Sequence, residues 1–365
     1  MIKVLHYGLS SNMGGIETYL LKLYSNIDRN KYKFDFLDDT FDGACFEKEF
    51  KQMGSEFFKI TPRRISPSRN MRDLDQIFQH NHFDIFHCHL NTLSYINPIK
   101  IALKYNCKVI VHSRNGGSSY KLHTKLLHYY HLLFLPKTQI KMLAVSKKAA
   151  DWLFGKKAEV TIVNNGIDVN RFLFKQNTRD EYRQKMGVLD SFVLIHVGAY
   201  LFAKNHKFLI KVFHEVHKIN PKSVLWLVGS GENKKEIQNL VDDMELSDCV
   251  KFLGGRTDVS NLLSAADCFV FPSYYEGFPN AVLEAETSGL PCIISNKITN
   301  EVVIRNDCDQ LSLDLTCIDW AKKILNVKQN TDRETAYELI ETKGFSVKDE
   351  IKKIENIYRG VMNNR

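Results

Sequence analysis

The sequence predicts an α/β protein made of two doubly wound, Rossmann-like parallel sheets. Three observations lead there. Short β-rich apolar runs alternate with helix-length segments almost throughout, the pattern of a parallel sheet with helices on both faces. The alternation breaks at the turn-rich Asn164-Asn165-Gly166-Ile167-Asp168 and then restarts. A length of 365 residues, at about 150 residues per domain, suggests two domains. With 44% hydrophobic and 25% charged residues, the composition is that of a globular chain and excludes disorder, collagen and a small disulfide scaffold.

In chain order, Ile2–Tyr7 reads as the first buried strand. A glycine-rich turn and a helix over Ile16–Ile27 follow, with Ile16, Tyr19, Leu20, Leu23 and Tyr24 on one face. Phe34–Leu37, Asp84–His89, Lys108–His112, Leu143–Ser146 and Val160–Val163 are the further strands of the first half. In the second half Phe192–Val197, Ser223–Val228, Val250–Leu253, Cys268–Phe271 and Cys292–Ser295 are strands. Helices are expected at about Lys207–Ile219, Lys234–Met244, Val259–Ala265 and Ala281–Ser288. The last segment, Ser346–Met362, is amphipathic, with Val347, Ile351, Ile354, Ile357, Tyr358 and Val361 on its apolar side and Ser346 placed to cap it. The expected domains are 1–170, 171–345 and a terminal helix over 346–365.

No run reaches the roughly 18 apolar residues of a membrane span, and the first residues are too polar for a secretory signal. The eight cysteines include no Cys-x-x-Cys pair. Several sit in apolar runs, which favours buried thiols over a zinc or redox site. Charge is uneven. Residues 1–175 carry 26 basic and 15 acidic side chains, the remainder 24 and 27, and residues 85–150 contain no acid at all. Such a stretch attracts anions, or forms a solvated basic face. Within it, Lys121–Pro136 mixes Lys and His with Leu, Tyr and Phe at helical spacing. That composition suits a helix lying on a membrane, and equally a buried core face.

Four sets of residues carry candidate chemistry. Gly14-Gly15 lies between the first strand and helix, where backbone amides can meet an anion; it could also be a plain tight turn. Glu276-Gly-Phe-Pro-Asn-Ala-Val-Leu-Glu284 follows a strand. There a carboxylate can grip a vicinal diol, and the amides of Gly277, Phe278 and Asn280 are available to hydroxyls or phosphate. Lys204, in Lys204-Asn205-His206 after another strand, can point at a diphosphate. His87 and His89 share a strand face but lack a third metal ligand nearby, and His112 ends a strand as either a substrate contact or a structural residue.

These motifs, with Ala144-Val145-Ser146, Asn165-Gly166-Ile167-Asp168 and Gly289-Leu290-Pro291, make the whole chain resemble the family-four retaining glycosyltransferases of GT-B fold. The resemblance is greatest to bacterial members that build capsule and exopolysaccharide. It implies two Rossmann-like domains facing a cleft, with the last helix crossing back to the first domain. The first domain would take the acceptor and the second a nucleotide-sugar, expected to be a UDP-sugar. Glu284 would bind the ribose, Glu276 with Gly277, Phe278 and Asn280 the sugar and phosphates, and Lys204 the departing diphosphate. Gly15 would offer its amide to the diphosphate, His112 would lie beside the transferred sugar, and the base would pack near Gly229–Gly231 and Arg256. The family usually has arginine after the glycine matching Gly198. Here Ala199 stands there, and Arg256 or Arg114 would have to substitute. Glu286 is an extra carboxylate that helical spacing turns elsewhere.

The expectation is a retaining glycosyltransferase with no metal or other cofactor and no nucleic-acid partner. It would move a hexose or N-acetylhexosamine to a saccharide acceptor, lipid-linked or oligosaccharide, for cell-surface glycan synthesis. The family's frequent lipid-linked acceptors, added to the acid-free stretch, favour a cytoplasmic protein peripheral on the anionic inner face of the plasma membrane. The competing readings are a GT-B epimerase, a phosphorylase, and a sugar-nucleotide-binding subunit without transferase activity. A nicotinamide oxidoreductase is disfavoured because GxGxxG is absent.

Overall fold

In the computed structural model, residues 1–117, 120–328 and 332–363 are described. The chain divides into two units, Met1–Asn165 together with Val347–Arg365, and Gly166–Ser346.

The first unit runs β1 (Ile2–Tyr7), α1 (Gly15–Asn26), β2 (Tyr32–Asp38), α2 (Glu47–Gln52), β3 (Phe57–Lys59), α3 (Pro67–His80), β4 (Ile85–Leu90), α4 (Asn97–Lys104), β5 (Lys108–Ser113), α5 (Leu122–Phe134), β6 (Ile140–Ala144), α6 (Lys147–Phe154) and β7 (Thr161–Ile162). Its seven strands are ordered β3-β2-β1-β4-β5-β6-β7, and the pairs are parallel. All six residues of β4 are buried, as a strand covered on both faces requires. Side chains alternate between faces. Leu5, Phe86 and Val111 pack on one side with Leu74 and Phe78 of α3. Val4, Phe34, Ile85 and Ile110 pack on the other with Leu20 and Leu23 of α1.

The second unit runs α7 (Val169–Phe172), α8 (Gln176–Lys185), β8 (Phe192–Val197), α9 (His206–Ile219), β9 (Ser223–Val228), α10 (Lys234–Asp243), β10 (Val250–Gly254), α11 (Val259–Ala265), β11 (Cys268–Phe271), α12 (Asn280–Thr287), β12 (Cys292–Ser295), β13 (Cys308–Leu311), α13 (Cys317–Leu325) and α14 (Ala336–Thr342). Its parallel sheet is ordered β10-β9-β8-β11-β12-β13. Asp267, buried before β11, accepts from Arg179, from Arg183 Nη1 at 3.0 Å and from the amide of Val193 at 2.8 Å. That tie fixes α8 to the sheet.

The last helix, α15 (Val347–Asn363), belongs to the first unit. Its Ile354 and Tyr358 enter the α1-side core, and Glu350 pairs with Lys22 at 2.6 Å. Ser346, expected as its cap, forms a parallel bridge with Ile167.

The predicted strands are all present, with ends moved by a few residues. Several helices were not anticipated, α3 among them. This helix carries Met71, Leu74, Ile77 and Phe78 at helical spacing, and Ser66 caps it by accepting from the Arg69 amide, so its signal was present in the sequence. The eight cysteines are free thiols and six are buried. Among the described residues no helix is long and apolar enough to cross a membrane.

The α5 helix departs from the pattern of its neighbours. Its only buried residue is His128, whose Nδ1 accepts from the Leu93 amide at 3.1 Å and whose Nε2 donates to the Trp152 carbonyl at 3.1 Å. Leu122, Leu126, Leu127, Tyr129, Tyr130, Leu133 and Phe134 are all exposed, Leu133 by 80%. The apolar stripe therefore is not a core face.

Candidate active site

Two loops at the carboxyl ends of strands in the second sheet hold the central pair. Lys204 follows β8 and Glu276 follows β11, and their side chains meet at 2.7 Å with most of their surface covered. Sequence placed both at strand ends; the structure shows that they are partners. Lys204 Nζ also lies 4.7 Å from the centre of the buried Phe271 ring. The loops are laced together by Tyr274 N to Ala203 O at 2.8 Å and Asn205 Nδ2 to Pro272 O at 3.1 Å. Asn205 adopts a left-handed conformation (φ 55°), which asparagine tolerates better than most residues. That preference is the signal that could have marked it in advance.

Beside this pair, the two glycines that follow β9 are sterically required. A Cβ on Gly229 would lie 2.1 Å from the Gly198 carbonyl oxygen, and one on Gly231 would lie 2.7 Å from the Tyr200 amide. Ala199 therefore sits where two backbones are in contact. Arg256 is turned to Asp258, bound through Nε at 2.7 Å and Nη2 at 2.6 Å. The same contact holds the Asp258 carboxyl down at about 2.

Gly277 and Phe278 are buried, and Phe278 stacks on Phe345 at 5.9 Å. Asn280 is the first residue of α12 rather than a loop residue, and its amide already donates to the Phe278 carbonyl at 3.0 Å. The amide expected to be open to a ligand is thus engaged, because the chain turns into the helix one residue earlier than predicted. Glu284 lies one turn into α12 and is partly exposed. Glu286 points into the interior, as its spacing suggested. It accepts from the Ile304 amide at 3.1 Å, and burial pushes its carboxyl up to about 8.

In the first unit, Gly15 opens α1, and a Cβ there would meet nothing within 4 Å. Glu17, in the first turn of α1, is buried and braces the preceding loop. It accepts from Ser10 N at 2.7 Å and Ser10 Oγ at 2.8 Å.

His112 is fully buried within a histidine cluster. Arginine can only donate, so its contact to His112 Nε2 at 3.4 Å makes that nitrogen an acceptor. His112 Nδ1 then donates to His87 Nε2 at 3.3 Å, and His87 Nδ1 donates to Tyr358 Oη at 2.8 Å. Arg114 itself lies 3.7 Å over the Tyr19 ring and donates to Asn165 at 3.0 Å. His6 on β1 supplies the third histidine that local sequence lacked, with ring nitrogens of His6, His87 and His89 within 4.8 Å of one another. His6 and His89 share a hydrogen bond of 3.1 Å. Desolvation lowers all four histidines, His6 to about 3, with the Arg114 charge adding to the effect on the other three. The same charge would oppose a dication here, so the cluster is best described as neutral rings bonded to one another.

Residues 13–171 match the family description Glycosyltransferase Family 4, and residues 178–342 match Glycosyl transferases group 1. The chain is similar to the putative glycosyltransferase EpsF of Bacillus subtilis, 28% identical over 98% of this chain and 96% of that one. It is also similar to an Escherichia coli UDP-Gal:alpha-D-GlcNAc-diphosphoundecaprenol alpha-1,3-galactosyltransferase, at 25% identity over 100% and 98% of the two chains. Among solved structures, Anabaena Alr3699/HepE in complex with UDP-glucose superposes with a TM-score of 0.82 at 19% identity, covering 99% of this chain and all of that one. Paired family matches over two parallel-sheet units make this chain a glycosyltransferase of GT-B fold, a Family 4 domain followed by a group 1 domain.

Proposed function

We propose that this glycosyltransferase moves a hexose or N-acetylhexosamine from a UDP-sugar, with retention, to a lipid-linked saccharide acceptor. The glycan would be a capsule, exopolysaccharide or related surface polymer. The observation that carries the reading is the Lys204–Glu276 pair, set at strand ends in the second unit with Glu284 one helical turn beyond. The names of the relatives agree with it: one uses UDP-Gal and a GlcNAc-diphosphoundecaprenol acceptor, and HepE was solved with UDP-glucose.

Breaking the anomeric carbon–phosphate bond leaves an oxocarbenium-like centre and a diphosphate, and stabilising the departing charge is the main task. Lys204 performs it in place of a metal. The incoming diphosphate exchanges with Glu276 for the ammonium, and the carboxylate so released accepts hydroxyls of the sugar. The acceptor hydroxyl attacks from the face the diphosphate leaves, and the leaving phosphate oxygen takes its proton. Glu284 accepts from the ribose hydroxyls. The Glu284→Gln variant should bind UDP about tenfold more weakly or worse, since charge-assisted bonds contribute about 1.5–3 kcal/mol. Calorimetry showing unchanged affinity would remove Glu284 from the site. A hydrolysis screen of UDP-, GDP- and ADP-sugars identifies the donor without an acceptor.

The reading includes attachment to the anionic inner face of the plasma membrane through α5. Seven exposed apolar side chains, in a stretch without an acid between residues 85 and 150, offer a lipid-facing surface with lysines around it.

A further inference from the structure

We infer that the second unit carries a binding site for a neutral oligosaccharide, formed by the stacked rings of Phe202 and Tyr274 together with Glu232 and Asn233. The occupant is a run of uncharged pyranose units in a glycan chain, held away from the reacting groups. The inference goes beyond the transferase reading, which gives none of these four residues a role.

The place is a cavity of about 320 Å³, within the size range of small-ligand sites. Leu201 and Phe202 reach it from the loop after β8 and Tyr274 from the loop after β11, while Glu232 and Asn233 lie in the turn before α10. The same two loops carry Lys204 and Glu276, but neither of that pair lines the cavity. Tyr200 points inward, fully buried, its ring 4.5 Å from that of His206. The next two residues point out, with Leu201 44% and Phe202 61% exposed. Phe202 is held there. It opens a short 3-10 turn, its carbonyl accepts from the Asn205 amide at 3.1 Å, and its ring lies on that of Tyr274, 5.0 Å between centres and 18° between planes. Tyr274 is fixed in turn by its amide, which donates to the Ala203 carbonyl at 2.8 Å. An apolar cluster kept rigid in the open has the character of a contact surface.

The chemistry follows from the side chains. Aromatic faces carry the negative part of the ring quadrupole, which suits the C–H face of a pyranose and repels an anion. Lys207, on the lining, is taken, its Nζ bound to Glu236 at 2.5 Å. Burial lowers the His206 imidazole to about 4, so it adds no charge near neutral pH. Glu232 enters no ion pair among the described residues. Its carboxylate turns away phosphates and uronates and accepts hydroxyls, and the Asn233 carboxamide both donates and accepts. An apolar flat face, hydroxyl acceptors beside it and no available cation match one ligand class. A neutral pyranose has C–H bonds on its faces and hydroxyls at its rim. A nucleotide or sugar phosphate is disfavoured by the same carboxylate.

The test uses the full chain, with and without saturating UDP. The probes are maltopentaose, cellopentaose, chitopentaose and, as an anionic counterpart, pentagalacturonate. Saturation-transfer NMR should show binding of at least one neutral oligosaccharide, with the signal concentrated on pyranose C–H protons, and little binding of the galacturonate. Phe202→Ala and Tyr274→Ala should each weaken it about tenfold, as truncation of an aromatic anchor does, and Glu232→Gln should weaken it too. Tyr274→Phe, which keeps the ring, should bind like the native chain. UDP affinity and melting temperature should not change in these variants. Absence of binding by all of the neutral oligosaccharides overturns the proposal. So does native-like binding by Phe202→Ala, or galacturonate binding as tightly as the neutral chains. Displacement of the oligosaccharide by UDP also overturns it, by making the two rings part of the donor site. Failure of the transferase reading shows differently, as no UDP binding by the native chain, whether or not an oligosaccharide is held.

Discussion

Replacing Leu122, Leu126 and Leu133 of α5 by serine should detach the protein from anionic vesicles without unfolding it. The three side chains are at least 62% exposed, so little packing is lost. Full burial of a leucine side chain is worth about 1.5–3 kcal/mol. Each therefore contributes at least about 1 kcal/mol when its exposed part enters the acyl boundary. Three together give about 3 kcal/mol, roughly a hundredfold in partitioning. The lysines remain, each adding about 1 kcal/mol near an anionic leaflet and screened beyond a Debye length. Co-sedimentation with vesicles of mixed neutral and anionic lipid reads both contributions. The native chain should bind at low salt and lose much of that binding as salt rises, and the triple variant should need about a hundredfold more lipid at any salt. A triple variant that sediments like the native chain would show that α5 does not touch lipid. No native binding at low salt, or binding indifferent to molar salt, would refute the membrane reading as a whole.

Lys204→Ala should lower donor turnover far more than stability. It removes the ammonium proposed to meet the diphosphate, and Glu276, being partly exposed, can turn to water; native-like turnover in a stably folded variant would dismiss the role. A second outcome concerns pH. His6, His87, His89, His112, His196 and His206 are all lowered by burial, His6 to about 3 and His206 to about 4. In the unfolded chain they take up protons near 6.5, in the folded chain far lower, so stability is complete above about pH 6.5–7 and is lost as pH falls. Each histidine contributes up to about 1.4 kcal/mol per pH unit in that window. Urea midpoints that stay level between pH 7.5 and 5 would contradict the burial of neutral imidazoles.

Legibility in the sequence followed physical range. The strands were visible because burial on both faces leaves unbroken apolar runs, as in Ile85–Leu90. Lys204, Glu276 and Glu284 stood out as candidates because strand-end loops carry chemistry and the motif around them is specific. That Lys204 and Glu276 bind each other was not, since the contact joins residues 72 apart. His6 was missed as a member of the histidine cluster for the same reason: it reaches His89 only because β1 and β4 are neighbours. On α5 the helical period was read correctly, but a period cannot say whether a stripe faces a core or the outside.

The first unit is discontinuous in sequence, and this gives it a dependence on synthesis. Its sheet is encoded before residue 166, yet Glu350, Ile354 and Tyr358, which meet Lys22, the α1-side core and His87, are encoded after the whole second unit. At about 5–20 residues per second, the ribosome needs about 10 to 40 s to bridge that gap. Throughout that interval the α1-side core of the first sheet lacks Ile354 and Tyr358, and its histidine row is open at the end that Tyr358 will close. A nascent chain is thus most exposed to aggregation in the part made first. A frameshift or stop near the end of the message would damage the beginning of the protein, leaving intact the segment that directly precedes the lesion.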